Sequence, residues 1–122
     1  MIILNDKRFS DENFFYAKTL EDISNSPNNS TIIFKYNEDD IKLYKFCQTN
    51  NISYGVEIDS IKEFIFIINL NAKYTFCNNI ELASTIQKIA DNYLTQTKVI
   101  IKTSFELLEK AVLHEIDGIF VI

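Results

Sequence analysis

Glycine is almost missing from this chain: Gly55 and Gly118 are its only two in 122 residues. Backbone loops that cradle phosphate depend on glycine, which turns left-handed without strain and lets a ligand approach the main chain. Two glycines so far apart form neither a G-x-G-x-x-G nor a G-x-x-x-x-G-K-[ST] loop. Histidine is down to His114, which leaves no second imidazole for a zinc site. Arginine is down to Arg8, proline to Pro27, and tryptophan is absent. These absences remove the commonest signatures of nucleotide and metal chemistry. No motif that is left names a function.

The two cysteines, Cys47 and Cys77, have no C-x-x-C spacing and read as small buried hydrophobes of a reducing compartment. Cys77 has one alternative: at a strand end ahead of a helix, its thiol would be acidified and open to redox sensing or nucleophilic attack. Basic charge is scarce, with 12 Lys+Arg against 17 Asp+Glu and a net charge of −5. Nucleic acid and anionic membranes both need a basic face, so neither is an expected partner. The apolar run Phe64 to Ile68 is too short to span a bilayer. Met1–Leu4 meets Asn5-Asp6 too soon for a signal peptide. The expected setting is the cytoplasm, and heavy use of Ile and Asn suits an AT-rich, bacterial genome.

What is present is ordinary globular composition: 47% hydrophobic and 24% charged residues, enough for one core in one domain. β-Branched and aromatic runs recur at Phe14–Ala17, Thr31–Tyr36, Ile52–Ile58, Lys73–Phe76, Val99–Lys102 and Gly118–Ile122. Between them lie amphipathic stretches opened by capping residues: Thr19, Asp39 or Asp40, Ser60 with Glu63, Asn78 with Glu81, and Thr103-Ser104 with Glu106. Ser60-x-x-Glu63 favours a helix over a strand for residues 61–70, with Ile61, Phe64, Ile65 and Ile68 facing in. Strands alternating with helices predict βαβ units, and apolar residues on both strand faces predict a sheet covered on both sides. The expected fold is therefore a single-domain α/β three-layer sandwich over residues 1–122. It has a mostly parallel sheet of five or six strands, helices on both faces, and a flavodoxin-like or related doubly wound order. Residues 1–12 read as an edge strand followed by a polar loop.

In such sheets ligands sit beyond the carboxyl ends of the strands. Asp59, Ser60, Asn78, Lys102, Thr103 and Ser104 fall on that rim, and together they suit a small anion or metabolite, though Ser, Thr and Asn there are also what helix caps require. Glu38, Asp39 and Asp40 with Asp59 are acidic enough to consider Mg²⁺, but acids in a first helical turn also complement its dipole. No resident metal or cofactor is expected.

Asp59 and Lys102 also invite comparison with two-component receiver domains, which carry an acceptor Asp after the third strand and a Lys ending the fifth. With Phe14–Ala17 as the first strand, both registers match. Ala17-Lys18 stands where receivers have paired acids, Cys77 where they have Ser or Thr, and Gly118–Ile122 adds a strand. What is shared is the common architecture, without phosphotransfer. Lys98 to Ile122 resembles a βαβ piece of barrel enzymes, yet 122 residues are too few for an eight-fold barrel.

The helix over residues 61–70 is apolar on most sides, and Phe64, Phe66, Ile67 and Leu70 form a candidate interface for a second copy. The leading expectation is thus a non-enzymatic protein-interaction or regulatory module, a homodimer with a protein partner. The alternative is a small-metabolite or phosphate-binding protein working at the strand ends.

Overall fold

In the computed structural model, which describes residues 1–122, strands and helices alternate along the chain. The strands are β1 (Ile2–Leu4), β2 (Asn13–Tyr16), β3 (Ser30–Lys35), β4 (Tyr54–Glu57), β5 (Tyr74–Cys77), β6 (Lys98–Thr103) and β7 (Gly118–Val121). Helices α1 (Leu20–Ser24), α2 (Ile41–Thr49), α3 (Ile61–Ile68), α4 (Ile80–Tyr93) and α5 (Leu108–Leu113) fill the gaps from β2 onward. All seven strands join one sheet in the order β1-β7-β6-β5-β4-β3-β2, and every pairing is parallel. The expected α/β class with a parallel sheet is what the chain forms. The sheet has seven strands rather than five or six. From β2 to β7 each strand lies beside its successor, without the reversal that marks a flavodoxin-like order.

Successive right-handed crossovers in one direction bring every helix to the same face of the sheet. The core divides accordingly. Its larger cluster packs Ile23, Tyr44, Phe64, Ile67, Ile86 and Ala111 of the helices against Ile32, Phe34, Val56, Ile101 and Ile119 of the strands. The smaller cluster holds Leu4, Ile33, Tyr74, Phe76, Ile100 and Phe120, all from strands. The sequence implied cover on both faces; helices supply it on one, and on the other the sheet covers itself.

Distances across the sheet show how. The rings of Phe14 on β2 and Phe120 on β7 have centroids 5.1 Å apart. Five flat inter-strand steps would separate them by about 24 Å. The sheet is therefore rolled into a barrel whose two end strands, β1 and β2, are not hydrogen-bonded to each other. Phe14, Tyr74, Phe76 and Phe120 fill its middle in tilted and edge-on contacts. Gly55 and Gly118 lie on this inner face, and neither has a positive φ. A Cβ at Gly55 would stand 2.6 Å from the Phe76 ring, and one at Gly118 would stand 2.6 Å from the Ile2 carbonyl oxygen. Both glycines are there for room, so that rings and strands can close on them.

Left-handed turns fall instead to asparagine. Asn5, Asn29, Asn51 and Asn71 have positive φ, joined by Leu94 and Glu115. Asparagine tolerates that region better than other residues with a Cβ, which explains how so few glycines suffice.

Residues Asn5–Glu12 form a strap along the open seam. At the C-terminal rim, Asn5 Nδ2 donates to the Val121 carbonyl oxygen at 2.8 Å. The backbone N–H, Nε and Nη2 of Arg8 then donate to the Asp6 carboxylate. At the opposite end, the Glu12 carboxylate accepts from Tyr74 Oη at 2.6 Å, Lys73 Nζ at 3.0 Å and the Thr31 hydroxyl. A cavity of about 430 Å³ lies between the strap and β1, lined by Ile2, Leu4, Phe9 and Tyr74 among others.

The helices form where their caps predict, with small shifts. Thr19 makes a full capping box on α1 with Asp22, and Ser60 accepts the Glu63 N–H of α3. Residues 61–68 are helical, as the Ser60 signal implies. Phe64 is fully buried and Ile65 and Ile68 pack half-buried against the core, as expected, but Ile67 is fully buried as well and Ile61 is 45% exposed. Asn79 caps α4 in place of Asn78; Asp40 takes the N-cap position of α2 without a side-chain hydrogen bond, and Asn37 caps the 3₁₀ turn ahead of it. No helix is long and apolar enough to cross a membrane.

Candidate functional site

Every strand is parallel, so all C-terminal ends open at one mouth of the barrel. The side chains there follow from the alternation of strand residues. On β6 the inward sequence Ile100, Lys102 continues the apolar interior into a cation. On β4 it is Gly55, Glu57; on β2 it is Phe14, Tyr16; on β3 it is Ile33, Lys35. Lys35 and Glu57 are register partners on adjacent strands, and Lys102 is the register partner of Phe120.

Lys102 is the centre of this ring. Its Nζ donates to Tyr16 Oη at 2.8 Å and to the Glu57 carboxylate. The Lys102 and Glu57 side chains are only 15% and 16% exposed. The ammonium also stands 5.1 Å from the Tyr16 ring centroid and 5.6 Å from that of Phe120, close enough for cation–π attraction. Burial works to lower the Lys102 pKa, but the bonds to Glu57 and Tyr16 outweigh it and hold the value above the ordinary one. The group is a committed ammonium. Of its three N–H bonds two are engaged, which leaves one donor. Tyr16 is 54% exposed and accepts from Lys102, so its own O–H is a second donor at the mouth.

Of the six rim residues expected from sequence, Lys102 alone enters this ring. Ser60 accepts from the Glu63 N–H at 3.2 Å and donates to the Glu63 carboxylate at 2.9 Å, so it serves the helix cap. The Asp59 side chain is exposed, and its N–H donates to Glu63. Asn78 is exposed beside the true cap, Asn79. Thr103 is buried on the helix-facing side of β6, and Ser104 caps the 3₁₀ turn that follows. Glu57 and Tyr16 were missed because the rim was read from residues just past the strands. Counting inward positions in steps of two from Gly55 and Phe14 would have reached both.

The remaining candidates fall elsewhere. Among the four candidate interface residues, Phe64 and Ile67 are fully buried in the chain's own core, and only Phe66 and Leu70 retain partial exposure. They cannot present the four-residue surface foreseen. Cys77 is fully buried beneath the helix layer, and burial pushes its thiol up to about 12. Cys47 is buried too, with its thiol pushed up to about 11. Neither thiol has the lowered pKa and access that reactivity needs, which corrects the redox alternative for Cys77. Of the acids considered for Mg²⁺, Glu38 reaches the Lys62 ammonium at 3.7 Å, and no three His, Cys, Asp or Glu side chains converge on a point. His114 sits exposed at the end of α5, its Nδ1 3.2 Å from Ser84 Oγ.

The opposite end of the barrel carries the second polar cluster, Glu12 with Thr31, Lys73 and Tyr74. Burial acts to raise the Glu12 pKa, but hydrogen bonds from Thr31, Tyr74 and Lys73 bring it below its ordinary value. A cavity of about 660 Å³ opens beside it, lined mainly by loop Ser and Asn residues. In parallel βα barrels the N-terminal end is the stability face and the C-terminal end the working one. Glu12 accordingly ties the strap down, and the Lys102 ring is the candidate site. No protein-family model matches this sequence, and no curated protein resembles it closely enough to identify a relative.

Proposed function

We propose that this chain is a small-molecule-binding domain whose ligand sits at the C-terminal mouth of the barrel, on Lys102, Tyr16 and Glu57. One observation carries the proposal: Lys102 lies on an interior strand and turns its ammonium into the mouth rather than out to solvent. Two unengaged donors, on Lys102 and Tyr16, then face the one end of the fold where such barrels bind ligands. The protein-interaction module, the leading expectation from sequence, has lost two of the four residues it rested on, since Phe64 and Ile67 are buried.

The test is a thermal-shift screen of common metabolites against the wild type and Tyr16→Phe, which keeps the ring and removes the hydroxyl. A ligand present at a hundred times its Kd stabilises by about 2.7 kcal/mol. For 122 residues that raises Tm by about 10 °C. We expect a compound that shifts the wild type and shifts Tyr16→Phe less. A screen with no hit, or hits indifferent to Tyr16→Phe, would reject binding at the mouth.

A further inference from the structure

The charges around the mouth specify the ligand further, on the premise that the mouth is the binding site. Lys18, Lys35 and Lys102 stand at the ends of β2, β3 and β6, and Glu57 and Asp59 at the end of β4. Lys102 has its carboxylate partner in Glu57, whereas Lys35 and Lys18 make no ion pair. Lys35 is beside Glu57 in the register, on the inward side of β3. Three donors at the mouth are without a partner: the Tyr16 O–H, the third N–H of Lys102 and the Lys35 ammonium.

We propose that the mouth binds one small oxyanion, a carboxylate or a phosphate group, which accepts from Tyr16 Oη and Lys102 Nζ and pairs with Lys35. Glu57 is then a positioning residue: it holds Lys102 across the barrel so that the remaining N–H faces the open side. Losing one charge-assisted bond of this kind weakens binding by about tenfold or more.

Sodium phosphate and sodium acetate, titrated separately against a sodium chloride background, test this by two-dimensional amide NMR. We expect one of the two to give saturable shifts at Tyr16, Lys35, Glu57 and Lys102, and the responding salt tells phosphate from carboxylate. Lys35→Met and Tyr16→Phe, both at exposed side chains, should each weaken that response by about tenfold with the spectrum otherwise unchanged. Lys102→Met alone strands the largely buried Glu57 carboxylate, so Lys102→Met/Glu57→Gln removes the pair together and should abolish the response. Shifts that fail to saturate, that chloride reproduces, or that survive all three variants would overturn the oxyanion. A neutral metabolite that stabilises the wild type more than Tyr16→Phe would also overturn it, while leaving binding at the mouth intact.

Discussion

Replacing Gly118 by alanine tests the barrel directly, because the sign of the effect is informative. In an unobstructed position with negative φ, Gly→Ala stabilises by about 0.4–1 kcal/mol, through the lower entropy of the unfolded chain. Gly118 has no positive φ, so backbone strain plays no part. The obstruction is space: the new Cβ would lie 2.6 Å from the Ile2 carbonyl oxygen, 2.7 Å from the Ile2 Cβ and 2.9 Å from Ile100 Cδ1. Two of those atoms belong to β1 itself and cannot rotate away. Relief requires β1 to move off β7, and β1 has only three paired residues to lose. Overpacking against side chains costs about 1–3 kcal/mol, and a backbone obstacle belongs at the top of that range. A net loss of about 3 kcal/mol lowers Tm by about 12 °C in a chain of this length. Gly55→Ala is the comparison: its nearest contact is the edge of the Phe76 ring, 2.6 Å away, and the atoms that cannot rotate, Tyr74 Cβ and the Tyr74 carbonyl oxygen, stand farther off at 3.0 and 3.1 Å. A loss nearer 1–2 kcal/mol is expected there. Urea unfolding followed by circular dichroism measures both. A Gly118→Ala variant as stable as the wild type would mean that Gly118 does not lie under β1, and the close seating of β1 on β7 would be wrong.

Two further substitutions probe the strap and the left-handed turns. Glu12→Gln removes the charge that accepts from Tyr74, Lys73 and Thr31, and should cost about 2 kcal/mol at pH 7. The folded-state pKa of Glu12 is depressed, so its contribution is present above the ordinary glutamate value of 4.5 and is lost as pH falls through the lower, folded value. The gap between wild type and Glu12→Gln in urea midpoint should therefore narrow below about pH 4.5 and stay constant above it; a gap that widens in acid would refute the assignment. Leu94→Gly relieves a left-handed leucine (φ 54°) at the end of α4, whose side chain is 85% exposed and gives up little packing. It should raise stability by about 1 kcal/mol in the same assay, and a loss would show that the Leu94 side chain is held by something at the surface.

The parallel α/β architecture was legible because it rests on local signals. Thr19 with Asp22 and Ser60 with Glu63 mark helix starts whatever lies around them, and Ile32-Ile33-Phe34 can be a strand only if both its faces are covered. What covers the inner face was not legible. That depends on Phe14 meeting Phe120 from strands five places apart, a contact with no trace in either segment. One edge of the α3 face was misplaced for a related reason: nearly every residue there is apolar, so periodicity does not distinguish Ile61 from Ile67, and the angle at which the helix meets the sheet decides. Lys102 was found because a lysine ending an apolar strand is conspicuous. Glu57 was hidden by a rule that looks beyond strand ends, where Asp59 and Ser60 drew attention to what is largely a helix cap.

The pairing of β1 with β7 sets an order for assembly. From β2 to β7 each strand pairs with the next one along the chain, so these contacts close short loops and can form in sequence as the polypeptide is made. The β1–β7 ladder joins Ile2 to Gly118, and nothing in it can form until β7 has been made. Until then Ile2 and Leu4, which later fill the barrel, have no interior to enter, and the seam beside β2 stays open. β1, made before the other six strands, is thus the last of them to be seated, and a ribosome-bound intermediate lacking β7 would expose the same apolar face that the folded barrel conceals.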